Sequence, residues 1–293
     1  MLKKFSVTNF KGFKDKITLD IGTPSNYSFR CAIFAVKKRV SSMCARVGTY
    51  SYRVESFHLD CRERLSLTVL GNQLLNAATR HADACGYGRE ALRRQGLAWV
   101  FSRLTIQMER YPGEYDEYII RTWVESASRF FSVRCFAVCD GAGQPLGYAT
   151  SVWAVMDLTD RKAVAISDVL PHYADALMAD DCDIPPCPIE RAARQRVTAV
   201  EPVHTFAPLF CDMDYNGHFN SIKYIEHLLN ALPIESLQQH AVRRLDIAYS
   251  TECRYGEPLA IYSSESQPGT FALEIRKADG SVSSRAMVCL DGC

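Results

Sequence analysis

The chain has 293 residues, 47% of them apolar and 23% charged, and a formal net charge of +1 at neutral pH. These are globular proportions, enough for one large domain or two average ones, and they exclude a disordered or fibrous chain. No apolar run approaches the roughly 18 residues of a membrane span, and the twelve cysteines are scattered without a CxxC pair, so a soluble protein in a reducing, cytoplasmic setting is expected rather than a disulfide scaffold.

The near-neutral total conceals a break. Residues 1–46 carry ten Lys or Arg against two Asp, a net of +8, and residues 47–293 carry 24 basic against 31 acidic residues, a net of −7. Seven of the ten leading basic residues are Lys, whereas the 24 that follow are 21 Arg and only Lys162, Lys223 and Lys277. A transit segment, a basic tail for an anionic partner and a foreign leader compete for this segment, and the last fits the change of composition best. Residues 2–13, Leu2-Lys3-Lys4-Phe5-Ser6-Val7-Thr8-Asn9-Phe10-Lys11-Gly12-Phe13, resemble the opening strand of ATPases of the RecF and SMC type. That family continues into a Gly-rich loop whose backbone amides cradle nucleotide phosphates. Here the chain passes instead to Cys31-Ala32-Ile33-Phe34-Ala35-Val36 and no such loop follows. No nucleotide hydrolysis is expected, and residues 1–46 are set apart as a foreign or disordered leader.

Over 65–85, Val69, Leu70, Leu74, Ala77, Ala78 and Ala82 recur at helical spacing, which predicts an amphipathic helix stopped by Gly86. Alternating segments at 104–108, 118–124, 130–138 and 148–156 then predict antiparallel strands, with Asp140-Gly141 as a turn. Residues 157–200 lose the alternation and gather Pro171, Pro185, Pro186 and Pro188 among Asp180, Asp181 and Asp183, a connecting segment. A second helix is predicted at 221–232, with Ile222, Ile225, Leu228, Leu229 and Leu232 on one face and Pro233 at its end. Strands follow again at 244–249, 259–263, 271–277 and 282–290.

The order of elements repeats, and so do local landmarks. Arg103-Leu104-Thr105-Ile106 echoes Arg244-Leu245-Asp246-Ile247 at an offset of 141, Gly113-Glu114 echoes Gly256-Glu257 at 143, and Asp140-Gly141 echoes Asp279-Gly280 at 139. We read this as a duplication. Each unit can bury its helix stripe against one sheet, and two such sheets can join edge to edge and so remove exposed strands. The expected fold is therefore α+β, a double (tandem) hotdog in which two antiparallel sheets each wrap a long helix. Residues 47–165 form the first unit, 166–200 the linker and 201–293 the second unit. The result is a pseudo-dimer within one chain, with a homodimer left open.

The chemistry concentrates just before the second helix. Asp214-Tyr215-Asn216-Gly217-His218-Phe219-Asn220 sets an acid, an amide and an imidazole at alternate positions, which in an extended segment share a face. Asn220 is suited to cap the helix, whose first-turn amides and dipole favour an anion or a polarised carbonyl. A polar capped loop with no chemistry stays open at this point.

The pattern Asp-x-Asn-x-His-x-Asn, followed by Lys223-Tyr224-Ile225 and by Glu252 about 30 residues on, resembles the acyl-[acyl-carrier-protein] thioesterases. Leu70-Gly71-Asn72-Gln73-Leu74-Leu75, Trp99-Val100-Phe101-Ser102-Arg103, Thr122-Trp123-Val124 and Ser151-Val152-Trp153-Ala154-Val155-Met156 extend the resemblance to the first half. Gly217, Phe219 and Ser221 depart from the plant members, which typically have Gln, Val and a second Asn there. The resemblance implies hydrolysis of fatty acyl thioesters of acyl carrier protein, with Asp214, Asn216, His218 and Glu252 as the catalytic set, no cofactor and no metal. Glu252 or Asp214 would accept the proton of water, Asn216 would orient water or carbonyl, and His218 would polarise or donate. Cys253 allows a rival covalent mechanism, but in a strand it would face away from Glu252.

The residues before the first helix are Arg62, Arg64 and Ser66, with no counterpart of the catalytic triplet, so the first half is expected to hold the acyl chain, with Leu70, Leu74, Ala78 and Trp99 as pocket candidates. His81 is read as a core or polar position, and His204, His227 and His240 show no acidic partner at ligand spacing. An acidic carrier protein would need a local basic patch, for which Arg89, Arg93 and Arg94 after the first helix and Arg191, Arg194 and Arg196 at the end of the linker are the candidates. An acyl-CoA thioesterase, a dehydratase and a silent acyl-binding module remain alternatives. A nucleic-acid role would rest on Phe5, Phe10 and Phe13 among the leader's lysines, which strand packing explains equally well.

Overall fold

A computed structural model describes residues 4–7, 17–20, 45–173, 184–190 and 197–292. It separates two units, Met1–Cys44 and Ala45–Cys293. In the smaller one, β1 (Lys4–Val7) and β2 (Ile17–Asp20) pair antiparallel with Lys4 opposite Asp20.

The larger unit opens with β3 (Gly48–Arg53), α1 (Leu67–Ala84) and α2 (Arg89–Arg93). Then come β4 (Leu97–Met108), β5 (Glu117–Ala127), β6 (Phe131–Asp140), β7 (Pro145–Asp157), β8 (Ala163–Val164) and α3 (Ile166–Val169). Its second half runs β9 (His204–Phe206), α4 (Ser221–Asn230), α5 (Ile234–Gln239), β10 (Val242–Tyr249), β11 (Leu259–Gln267), β12 (Thr270–Lys277) and β13 (Val282–Leu290). The strands form one eleven-stranded sheet in the order β3-β5-β6-β7-β4-β10-β13-β12-β11-β9, with β8 beside β7.

The seam between the halves is the antiparallel pair β4–β10, in register from Arg103 opposite Ala248 to Gln107 opposite Arg244. Thr105 faces Asp246, the residue it matches at the sequence offset of 141, and its Oγ1 donates to Asp246 Oδ1 at 2.7 Å. Arg244 Nε holds the other carboxylate oxygen at 2.7 Å.

Both long helices form where the stripes predict them. Ser66 Oγ accepts from the Val69 amide at 3.3 Å and starts α1, and Asn220 Oδ1 accepts from the Ile222 amide at 2.8 Å and starts α4, each satisfying one orphan donor of a first turn. Leu70 and Leu74 from α1 and Ile222, Ile225 and Leu228 from α4 join Leu104, Ile106, Phe136, Leu245, Ile261, Leu273 and Val288 in a single core that crosses the seam. Fully burying such a side chain contributes about 1.5–3 kcal/mol. The helices touch where Gly71 leaves room for Ile222, whose Cδ1 would lie 3.0 Å from an added Cβ. Gly71→Val should therefore lower stability by about 1–3 kcal/mol through overpacking, read as a fall of several degrees in Tm. An unchanged melt would show that the helices can separate freely.

Four expectations change. Strand β4 starts at Leu97 rather than at 104, because a register shift between Phe101 and Arg103 breaks the alternation that would have revealed its first half. The short end strands β3 and β9 and helix α5 carried too little apolar pattern to be foreseen. Residues 157–173 are no loose connection: Ile166, Leu170 and Tyr173 are buried with Tyr87, Leu92 and Val124, and the Tyr173 hydroxyl meets Ser132 Oγ at 2.5 Å. The first unit thus continues past 165. Among the described residues seven cysteines are free, whereas Cys85 is disulfide-bonded.

His81 is a core residue, as expected. Its Nδ1 receives Arg134 Nη1 at 2.9 Å, and Arg134 also donates to Thr122 Oγ1 and to the Tyr87 hydroxyl, both at 3.2 Å. Burial, reinforced by the Arg134 charge, pushes the His81 pKa down to about 4, so at neutral pH the ring can accept from the guanidinium.

Candidate active site

The Asp214–Asn220 segment is a tight turn, not an extended strand, so Asp214, Asn216 and His218 do not share a strand face as their alternate spacing suggests. The Gly217 amide donates to the Asp214 carbonyl at 3.0 Å, the Asp214 amide donates to the His218 carbonyl at 2.8 Å, and Met213 and Phe219 pair beyond it. Gly217 has φ +76°, a conformation that Gln would adopt only at a cost. Asp214 points its carboxylate inward: Oδ1 accepts from the Asn216 amide at 2.8 Å and from the His218 amide at 3.0 Å. Asn216 sits exposed on the turn. Phe219 is buried, its ring 4.2 Å from that of Tyr224, which accounts for the bulkier residue at this place.

Glu252 is not in a strand either. Strand β10 ends at Tyr249 and Glu252 lies in the loop beyond it. One backbone bond, from the Phe219 amide to the Cys253 carbonyl at 2.8 Å, ties this loop to the turn and brings the preceding residues together: His218 Nε2 stands 3.2 Å from Glu252 Oε2. Lys277 Nζ donates to the Glu252 carbonyl at 2.7 Å and fixes the loop from β12. Arg161, from the β7–β8 turn, forms an ion pair with the same Oε2. Glu252 Oε1 has no hydrogen-bond partner among the described residues. The result is a partly exposed acid–imidazole pair at the N-terminus of α4, able to accept and pass on a proton.

Cys253 is fully buried. Its thiol meets Ser283 Oγ at 2.9 Å, as does the Tyr224 hydroxyl at 3.0 Å, while Ser283 donates its one proton to the Thr251 carbonyl at 2.8 Å. Both neighbours must then donate to Ser283. Cys253 lies in the loop and not in a strand, and its buried thiol, held on Ser283, serves as an anchor for that loop.

The pocket candidates are not brought together: Leu70, Leu74 and Ala78 lie in the core that spans both halves, while Trp99 packs in a separate cluster with Tyr87 and Tyr173. None of the four lines the large concavity along the sheet, whose walls include Thr105, Val133, Thr150, Asp246, Tyr249 and Met287. Arg89 stacks on the ring of Tyr215, in the turn itself, at 4.0 Å. Arg94 pairs with Glu90 at 3.3 Å and Arg93 is exposed. Arg191, Arg194 and Arg196 lie outside the described residues. Two histidines have acidic neighbours that local spacing hid: His227 faces Asp212 at 3.7 Å and His240 faces Asp291 at 4.0 Å. Burial lowers the His227 pKa against the pull of Asp212. Sequence reading also missed Arg161, which no local motif marks.

An antiparallel sheet of this order, wrapped on two helices that touch and carrying an acid–imidazole pair at one helix start, is a double hotdog. Residues 46–173 match the acyl-ACP thioesterase N-terminal domain and residues 196–289 the acyl-ACP thioesterase C-terminal domain. The chain belongs to the acyl-ACP thioesterase family. A crystallised acyl-ACP thioesterase from Bacteroides thetaiotaomicron is 38% identical, with a TM-score of 0.76 over 84% of this chain and 98% of that one. The 12:0-ACP thioesterase of Umbellularia californica shares the fold at 20% identity, with a TM-score of 0.74 over 85% of this chain and 95% of that one. The chloroplastic palmitoyl-acyl carrier protein thioesterase of Gossypium hirsutum is 25% identical over 221 residues, 71% of this chain and 52% of that protein. The chain spans about half the length of the first curated relatives it matches.

Proposed function

We propose that the protein hydrolyses fatty acyl thioesters of acyl carrier protein, releasing fatty acid and carrier protein. The observation that carries this is the 3.2 Å approach of His218 Nε2 to Glu252 Oε2 in a chain whose two halves both match the family. Glu252 is the base, acting through Oε1, because Asp214 already holds two backbone amides through Oδ1 and organises the turn. The oxygen of a water molecule bonds to the thioester carbonyl carbon as its proton passes to Glu252. Collapse of the tetrahedral intermediate breaks the C–S bond, and the proton goes by way of His218 to the departing sulfur. Asn216 orients water or carbonyl, and the positive end of α4 favours the oxyanion.

In this reading the chain is a pseudo-dimer of two hotdog units. The first half, which lacks a counterpart of the 214–218 turn, holds the acyl chain. The reaction belongs to fatty acid biosynthesis in the cytoplasm. No helix among the described residues is long and apolar enough to cross a membrane. The carrier docks beside the turn, where Arg89 adjoins Tyr215, with Arg93 and Arg94 next to it. Leu209, Phe210, Tyr215 and Tyr255 are exposed on the loops that meet at the site, and the Gly256 amide joins two of those loops by donating to the Pro208 carbonyl at 2.9 Å.

The test is release of fatty acid from a panel of acyl-ACP substrates, against the same acyl groups on coenzyme A and on a small thiol. Higher kcat/KM on the carrier thioesters is expected. Reversing the charges of Arg89 and Arg93 should raise KM for acyl-ACP several-fold at low salt and leave the small thioester unchanged. No release from any carrier thioester would overturn the proposal, and equal loss on all substrates would move the arginines from docking to structure.

A further inference from the structure

We propose that Arg161 is a positioning residue for Glu252, supplied by the first half to the reaction centre of the second; this rests on the hydrolase reading above. The two residues are 91 apart in the chain, and nothing in the local sequence of either points to the other. The turn that carries Arg161 is built tightly. The Asp157 amide donates to the Lys162 carbonyl and the Arg161 amide to the Asp157 carbonyl, both at 2.9 Å. The Asp157 carboxylate accepts from the Thr159 amide at 2.7 Å and the Asp160 amide at 2.9 Å, and these two donors, Asp160 foremost, hold its pKa below the usual carboxylate range.

At the end of this turn Arg161 adopts φ +56°, a left-handed conformation that a side chain with a Cβ enters only under constraint. The constraint here delivers the guanidinium to Glu252. That Oε2 is the oxygen facing His218, so the ion pair and the imidazole together fix one oxygen of the carboxylate and leave Oε1 for water. Lys277 holds the Glu252 main chain, and Lys277 itself is paired with Glu257 at 3.0 Å. The side chain is therefore set from the first half and the backbone from β12.

Stability is not the use of this pair. The Arg161 and Glu252 side chains are 51% and 37% exposed, and ion pairs that open to water add little to folding. Orientation is a different matter, since a displacement of the order of 1 Å in a reacting group costs on the order of 100-fold in rate.

The experiment compares Arg161→Met, Arg161→Lys, Glu252→Gln and the Arg161→Met/Glu252→Gln double variant on one acyl-ACP substrate. For Arg161→Met, kcat should fall by about 10- to 100-fold, with KM within about 2-fold and Tm within about 2 °C. Arg161→Lys should recover part of the loss, because an ammonium keeps the positive charge for Oε2 but lacks the planar, pre-organised guanidinium that holds it in one geometry. In the Glu252→Gln background the second substitution should add less than about 2-fold. An unchanged kcat, a rise in KM alone, a matching fall in Tm, or full additivity in the double variant would each overturn the proposal. A readout independent of turnover is the Nε2 resonance of His218 in protein labelled with nitrogen-15 at histidine, which Arg161→Met should shift while the His240 signal stays in place. Should wild-type protein release no fatty acid, the hydrolase reading fails, and an unmoved His218 resonance would separately end the positioning role.

Discussion

Glu252→Gln is expected to lower kcat on an acyl-ACP thioester by at least about 100-fold, the scale of one lost acid–base role. Gln keeps the length and can still meet His218, so what it removes is the ability to accept a proton. The side chain is partly exposed and its pairs with Arg161 and His218 open to solvent, hence the thermal transition should move little. Glu252→Ala should be at least as slow. Near wild-type turnover in both variants, measured by fatty acid release under saturating substrate, would remove Glu252 from the mechanism and leave Asp214 as the base.

Asp214→Ala should also cost about 100-fold in kcat, for another reason. Its Oδ1 accepts from the Asn216 and His218 amides. Without those two bonds the turn loosens and His218 no longer meets Glu252 in one geometry, an orientational loss rather than a chemical one. Asp214→Asn separates the two causes because an amide oxygen can accept the same backbone donors. The Asn variant should retain activity within about 10-fold of wild type. If Asn is as inactive as Ala, the negative charge itself is needed and the division of labour between the two carboxylates is reversed.

The parts of this molecule with strong periodicity were legible in its sequence. The stripes at 65–85 and 221–232 became α1 and α4, and every alternating segment became a strand, because burial of one face dictates spacing directly. The tandem hotdog followed from the repeat of those elements. The site was legible as a set of residues but not as a shape. Asn216-Gly217 is a turn dipeptide, the local signal of the tight turn, and it competes with the alternate polar spacing that suggests a strand. Glu252 is marked only by the resemblance, and no local pattern shows that it lies in a loop rather than a strand. Arg161 was invisible because its meaning lies in a contact 91 residues away, and Asp212 meets His227 from beyond the spacing of a local motif. Long-range ion pairs leave no local period, and the Gly and Asp residues of a turn tell where the chain bends but not what it reaches.

The pairing of Thr105 with Asp246 limits how this architecture can be assembled. Two identical chains related by a twofold axis must set each residue near that axis against its own copy. At this place two second halves would confront Asp246 with Asp246, a like-charge cross-strand pair that opposes association. Two first halves would lose the carboxylate that Thr105 and Arg244 share. A chain that carries two unlike halves escapes the requirement of self-complementarity, so the hydroxyl can donate to the acid at 2.7 Å. Each half is thereby fitted to the other in preference to itself, and expressing them as separate polypeptides would be expected to yield the mixed pair.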